Sequence, residues 1–125
     1  MRAEELQLDD WVLYDGKPNQ VRSLSDDNGC RLSMRLHSVL AYDAKPIPLT
    51  PEILEMNGVE YDDRFVGECY TICGTAGRCL VWNNLSKSLS TGPFTLCECE
   101  YVHQLQHILR DCGMGVNITK VEENK

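Results

Sequence analysis

The sequence predicts a small α+β protein that begins with an SH3-like β-meander or half-barrel. Two observations predict this class. Short β-prone runs separated by turn residues fill the first third of the chain, and a helical pattern with apolar residues on one side lies near its end. A chain of 125 residues fits a single domain. We expect the meander at about 1–45 and a helix, further strands and a second helix at about 46–125.

The N-terminal meander is predicted from four β-prone runs. WVLY ends at the turn cluster DGKPN, and QVRSL and CRLSMRL lie on either side of DDNG. Asn28-Gly29 is a strong hairpin signal, because both central positions of a type I′ turn need a positive φ that these residues tolerate. We expect strands near 10–14, 20–25, 30–36 and 38–42, a spacing typical of a small curled sheet.

A short helix is predicted over 51–57. Thr50 is a suitable N-cap, Pro51 suits the first helical position, and Gly58 supplies a left-handed stop. A helix of about two turns is not stable alone, so its apolar side chains must pack it in place.

The second β segment begins after this helix. RFVGECYTIC and RCLVWN flank GTAG and predict a hairpin, while NLSKSLSTGP is predicted to be a polar loop before the strand FTLCECE. A short strand at VNIT, residues 116–119, and a solvated tail are expected to complete the chain.

The stretch YVHQLQHILRDC, residues 101–112, predicts the longest helix, which Gly113 ends. Its apolar residues fall within an arc of about 120° at ~100° per residue, and they predict the buried side: Tyr101, Val102, Leu105, Ile108, Leu109 and Cys112. The opposite side is expected to face solvent and carries Glu100, His103, His107 and Asp111.

The histidine spacing has three interpretations. Residues four apart on a helix lie one above the other, so His103 and His107 are placed to share a metal. Zinc usually needs three or four ligands, however, and no glutamate between the histidines is placed to activate water. The sequence therefore identifies no metal site, no cofactor and no catalytic residue. A solvated helix face and a partner-binding surface formed by His103, Gln104, Gln106 and His107 are the other interpretations.

The seven cysteines offer a second candidate site. Cys73 and Cys79 flank GTAGR and can lie opposite each other across a hairpin, while Cys97 and Cys99 share a face of the next strand. A metal or thiol site formed by these four with His103 and His107 is an alternative to core packing. Against it, the chain lacks a C-x-x-C zinc knuckle, and free cysteine usually packs as a small buried hydrophobe.

Composition limits the remaining classes of function. The net charge of -7 and the absence of a basic run argue against nucleic-acid binding, which depends on neutralising phosphates. Trp11 and Tyr14 could still serve as aromatic anchors for a peptide or a base, as in small barrels, so a nucleic-acid-binding barrel is a third alternative. No apolar run has the length of a membrane span, and the acidic N-terminus does not look like a signal peptide. We therefore expect a cytoplasmic protein with reduced cysteines.

Three stretches resemble a family of small uncharacterised proteins from gut-anaerobe genomes and their prophages: LQLDDWVLYDGKPNQV, PIPLTPEILEMNGVE and YVHQLQHIL. They cover about a third of the chain but span nearly its whole length, which implies one unit. The resemblance implies no activity and carries over no catalytic residue. It covers residues 101–106 and departs at His107 and again after Leu109, so it favours His103 as a specific contact.

These observations together predict a non-enzymatic protein-interaction module that needs no cofactor. Its expected partner is another protein, and its expected surface includes the polar side of the last helix. The resemblance adds an association with phages or mobile elements.

Overall fold

A computed structural model describes residues 6–24, 29–33, 39–40, 43–64, 67–91 and 94–121. It contains two antiparallel sheets and two helices, which confirms the predicted α+β class. The chain divides into two compact units, Met1–Ile47 and Pro48–Lys125. This boundary lies close to residue 45, where the N-terminal meander is expected to end. Whether the two units fold together as one domain stays a prediction.

The first unit contains a five-stranded antiparallel sheet in the order β4-β3-β2-β1-β5. Its strands are β1 Trp11–Tyr14, β2 Lys17–Leu24, β3 Gly29–Leu32, β4 Val39–Leu40 and β5 Lys45–Pro46. The first four correspond to the predicted meander, and β5 is an addition that pairs with β1. A small aliphatic core lies in this unit and includes Leu6, Val12, Val21, Cys30, Leu32 and Ala44. The SH3-like half-barrel stays a prediction.

The turn between β1 and β2 is tighter than predicted. Asp15 and Gly16 have φ values of 55° and 75°, the positive pair that a two-residue type I′ turn requires. β2 therefore starts at Lys17 and includes Pro18, which pairs with Leu13 of β1. Among the described residues, this first part of β2 pairs with β1 only, and β3 pairs with β2 from Val21 onward. Proline is tolerated there because its missing N–H is not needed by the ladder. The predicted turn at Asn28-Gly29 stays a prediction, because Asn28 lies outside the described residues.

The second unit contains the other sheet and both helices. Its elements are α1 Pro51–Met56, β6 Glu60–Tyr61, β7 Cys69–Cys73, β8 Cys79–Asn83, β9 Ser88–Thr91, β10 Phe94–Glu98 and α2 Val102–Asp111, with one 3₁₀ turn at Thr75–Gly77. The strands form an antiparallel meander in the order β10-β9-β8-β7-β6, so β8 is central and β6 and β10 are the edges.

Both helices begin and end close to where their capping residues predict. The Thr50 hydroxyl accepts a hydrogen bond from the backbone N–H of Ile53 at 3.3 Å, and Gly58 takes a φ of 82° just after α1. Gly113 takes a φ of 62° just after α2. Among the described residues, no helix is long and apolar enough to span a membrane.

Two predictions for the second unit are wrong. Ser88–Thr91, predicted to be part of a polar loop, is strand β9 and pairs with both β8 and β10. Only Leu89 in this strand is fully buried, so its serines and threonine hid the alternating pattern. VNIT is not a strand. Its end is held instead by Asn57, whose Oδ1 accepts from the backbone N–H groups of Thr119 at 2.8 Å and Lys120 at 3.1 Å.

The core of the second unit includes the side chains on one face of its sheet. Side chains alternate along a strand, and in β7, β8 and β9 this puts five buried residues on the same face: Tyr70, Ile72, Leu80, Trp82 and Leu89. Trp82 has no exposed surface, and its indole Nε1 donates to the carbonyl of Cys99 at 2.9 Å. Trp82 therefore ties the central strand of the sheet to the segment that follows β10.

Candidate functional site

Cys73 and Cys79 lie directly opposite each other at the end of the β7–β8 hairpin. Their Sγ atoms are 3.0 Å apart, and both residues are exposed. The predicted placement of these two cysteines across a hairpin is therefore confirmed.

The hydrogen-bond pattern of the hairpin explains why the two thiols are so close. The N–H of Asn84 donates to the carbonyl of Glu68 at 2.8 Å, and the N–H of Gly74 donates to the carbonyl of Arg78 at 2.7 Å. Hydrogen-bonded and non-hydrogen-bonded pairs alternate along an antiparallel ladder, so the cysteine pair between these ends is non-hydrogen-bonded. Side chains approach each other most closely in pairs of that type.

Three of the other five cysteines fall into a different class. Cys30, Cys69 and Cys99 are buried, as core packing predicts. Burial raises the pKa of Cys99 to about 12 and keeps its thiol protonated. For Cys73, the pKa is raised first by its hydrogen bond with Cys79 and then by partial loss of solvent. Geometry thus separates the exposed pair from the structural thiols.

The turn that joins the two cysteines is fastened to the end of α2. The N–H of Thr75 donates to the carbonyl of Met114 at 2.7 Å, and Arg78 Nη1 donates to the carbonyl of Cys112 at 2.5 Å. A cation at a helix C-terminus satisfies free carbonyls and complements the helix dipole. A Cβ on Gly74 would lie 2.3 Å from the Met114 carbonyl oxygen, so this close approach requires glycine.

Two cavities flank the pair, and one cysteine lines each. Cys73 lines a cavity of about 370 Å³ together with Ile72, Leu109 and Asn57. Cys79 lines a more open cavity of about 680 Å³. The walls of this second cavity also include Arg78, Leu80, Leu96, Asp111 and Met114.

The edge strand β10 borders the larger cavity through Leu96. Phe94 is 72% exposed and Leu96 is 47% exposed, although both are large apolar residues. A β-bulge lies between Thr95 and Cys97, where the register with β9 shifts. In the part of the chain that the structure describes, no strand pairs with the outer edge of β10. Within the described ranges, β10 therefore combines an unpaired backbone edge with exposed apolar side chains.

The structure corrects the orientation predicted for α2. His103, predicted to face solvent, is only 6% exposed, so this part of the prediction is wrong. Gln106, which belongs to neither predicted side, is also fully buried. The predicted apolar side is also buried at Val102, Leu105 and Leu109, which widens the buried arc.

The four predicted binding residues on α2 have different surroundings. Gln104 Oε1 accepts from the N–H groups of Glu100 at 2.8 Å and Tyr101 at 3.1 Å, so this side chain caps the helix. Gln106 Nε2 lies 3.4 Å from Asn117 Oδ1. The rings of His103 and His107 meet edge to face, with centroids 5.6 Å apart. Binding by these residues stays a prediction.

No group of three or more His, Cys, Asp or Glu side chains among the described residues is placed to hold a metal ion. Cys97 is half-buried on β10, and Cys99 lies in the core just beyond it. Trp11 and Tyr14, the predicted aromatic anchors, are both half-buried on β1 of the first unit, and Tyr14 packs against the core of that unit.

The sequence interpretation missed the two exposed residues of β10 and the residues that fasten the turn. Phe94 and Leu96 were visible as apolar residues two apart in FTLCECE. Such a pattern normally marks the buried face of a strand, and only the strand order shows that β10 is an edge.

No protein-family model, curated protein or solved structure matches this chain. The function is therefore inferred from its own residues.

Proposed function

We propose that this protein is a non-enzymatic interaction module that binds an extended segment of another protein by strand addition along β10. The segment that fits is apolar and carries at least one basic residue. The exposed apolar edge of β10, formed by Phe94 and Leu96 beside a cavity, is the observation that carries the proposal.

The backbone of β10 supplies the affinity expected of strand addition. An edge strand presents unpaired N–H and C=O groups that can pair with an added strand, while alternate side chains give specificity. A single exposed apolar residue is ordinary on a protein surface. Phe94 and Leu96 occur together on an edge strand, and such an edge invites pairing unless a partner covers it.

The adjoining cavity supports a basic residue with an aliphatic stem. Leu80 and Met114, which are 4% and 1% exposed, supply its apolar walls, and the exposed Asp111 supplies a carboxylate. Lysine and arginine can bury their methylene groups against such walls and keep the charged end near the carboxylate. The net charge of -7 also favours a basic partner over a second copy of this acidic chain.

A library of linear random peptides selected on the purified protein tests the proposal. We expect enriched peptides with alternating apolar residues and a lysine or arginine. The double variant Phe94→Ser/Leu96→Ser should weaken their binding about tenfold or more, because it removes the apolar contacts of the edge. Leu85→Ser is the matched control, since Leu85 is 72% exposed, like Phe94, but lies outside β10.

The same selection includes outcomes that would overturn the proposal. If the selected peptides bind the double variant as tightly as wild type, the binding surface lies elsewhere. If no peptide is enriched, β10 is not a peptide-binding edge. If wild type is a homodimer in solution and the double variant is a monomer, β10 binds a second copy of this chain instead.

Asp111→Asn should lower the peptide affinity a few-fold and reduce the dependence of that affinity on salt.

A further inference from the structure

We propose that Cys73 and Cys79 form a reversible dithiol/disulfide site that reacts with small disulfides of the glutathione class. The proposal concerns the hairpin end of β7 and β8 and does not depend on peptide binding at β10.

The backbone already has the geometry that a disulfide needs. Directly opposed residues of a non-hydrogen-bonded pair have Cα atoms about 4.5 Å apart, inside the range of roughly 4.4–6.8 Å seen for disulfides. The two Sγ atoms, now 3.0 Å apart, need to approach by only about 1 Å to reach bonding distance. The bond can therefore form without a large movement of either strand.

The surroundings of the other cysteines make the reaction selective. Cys69 lies on the same strand face as Cys73, but four residues along a strand separate them by roughly 13 Å. Cys30, Cys69 and Cys99 are buried, and a small disulfide in solution does not reach them. Cys97 and Cys112 are half-buried, and the pKa of Cys97 is raised first by burial and then by the nearby Cys112, so these two are the competing pair that an experiment must distinguish.

The reaction proceeds by two thiol–disulfide exchanges. The Cys79 thiolate attacks one sulfur of oxidised glutathione, the glutathione S–S bond breaks, and one glutathione thiolate leaves. Cys73 then loses its proton and attacks Cys79 Sγ, which breaks the mixed disulfide and releases the second glutathione thiolate. In total, the two cysteines lose two electrons and two protons. The two glutathione thiolates that leave take up these electrons and protons and become two molecules of reduced glutathione. We assign the first attack to Cys79 because its side chain lines the more open of the two cavities, from which glutathione can approach the sulfur.

Oxidation would close the base of the turn formed by residues 74–78. That turn carries Thr75 and Arg78, which bond the carbonyls of Met114 and Cys112 at the end of α2. We therefore expect slower amide hydrogen exchange in the turn and at residues 112–115 in the oxidised protein, because the disulfide removes open conformations of the turn.

Peptide mapping in glutathione redox buffers tests the site. Trypsin cleaves after Arg64, Arg78 and Lys87, so the proposed bond joins peptide 65–78 to peptide 79–87. Fragmentation of the joined peptides distinguishes Cys73 from Cys69. In wild type we expect the Cys73–Cys79 link to exceed every other cysteine link by about tenfold and to disappear in excess reduced glutathione.

Variants make the outcome decisive. Cys97→Ser should form the same link as wild type, whereas Cys73→Ser should stop at a glutathione adduct on Cys79. Thermal unfolding of each variant checks that it is folded. The proposal is overturned if wild type stops at a mixed disulfide, if Cys73 and Cys79 stay unmodified in oxidised glutathione, or if the dominant link is Cys97–Cys112.

Discussion

The two edges of the second sheet are built differently. β6 is two residues long and exposes Glu60 and Tyr61, whereas β10 is five residues long and exposes the large apolar Phe94 and Leu96 together with Thr95 and Glu98. Short edge strands and charged side chains discourage the addition of another strand, while long apolar edges encourage it. Among the described residues, the sheet is thus protected at β6 and unpaired at β10, and this asymmetry supports the proposed strand addition.

The protected edge is also fastened by an ionic cluster. Asp62, which follows β6, accepts two side-chain hydrogen bonds from Arg64, at 2.9 and 2.7 Å, and one from the Thr71 hydroxyl of β7 at 2.6 Å. The N–H of Asp62 also donates to the carbonyl of Cys69 at 2.8 Å. The cluster ties the end of β6 to its neighbour, so we interpret this edge as structural.

The largest expected effect comes from a substitution in β8, the central strand between the two edges. Trp82→Ala on β8 should destabilise the second unit by about 3–5 kcal/mol, because it removes a fully buried indole and its hydrogen bond. Urea unfolding measures the loss, and peptide binding at β10 should fall with it. Leu85→Ala is the control and should change stability by less than about 0.5 kcal/mol. A loss below about 1 kcal/mol for Trp82→Ala would contradict a common support for the two edges.

An intermediate effect should distinguish the exposed aromatic residues of the two edges. Tyr61 on β6 is 54% exposed but packs edge to face on Tyr70, with ring centroids 5.6 Å apart. Tyr61→Ala should therefore cost about 0.5–1.5 kcal/mol of stability and leave peptide affinity unchanged. Phe94→Ala should show the reverse, with a stability change under about 0.5 kcal/mol and weaker peptide binding. Chemical unfolding and peptide titration of the same two variants make the comparison, and equal effects of both variants on both measurements would remove the distinction.

A structural feature can be predicted from the sequence when it depends on residues that are close together in the chain. The capping residues of α1 act within one turn, so Thr50 and Gly58 place that helix correctly. The register of the β7–β8 hairpin is also local, which is why Cys73 and Cys79 can be predicted to lie opposite each other. The edge position of β10 depends on the order of five strands and cannot be predicted from its own residues.

The orientation of α2 shows the same limit for a helix. Its C-terminal end is predicted correctly from Gly113, but a helical wheel assumes that apolar residues alone mark the buried side. His103 is polar and buried, so the wheel predicted the wrong side for it, and it gave no signal that the polar Gln106 is buried as well. The burial of polar side chains depends on the partners that tertiary structure provides, and the sequence does not specify those partners.

The smallest expected effect is a pH dependence confined to the protected edge. Hydrogen bonds from Arg64, and then from Thr71, hold the pKa of Asp62 well below its usual range. A carboxyl group with a lowered pKa in the folded state stabilises the fold above its unfolded pKa of about 4, and this stabilisation is lost as the pH falls toward the folded pKa. Asp62→Asn should therefore lower the Tm at pH 7, with a difference from wild type that shrinks below about pH 4.

Thermal unfolding between neutral and strongly acidic pH measures this effect, with Asp63→Asn as the neighbouring exposed control. Peptide affinity at pH 7 should be the same for Asp62→Asn and wild type, because the proposed binding uses β10 and not β6. A Tm difference for Asp62→Asn that stays constant through the acid range would show that the Asp62 charge does not contribute to the protected edge. A loss of peptide affinity in the folded variant would show instead that the two edges are coupled, and binding at β10 would then depend on how β6 is fastened.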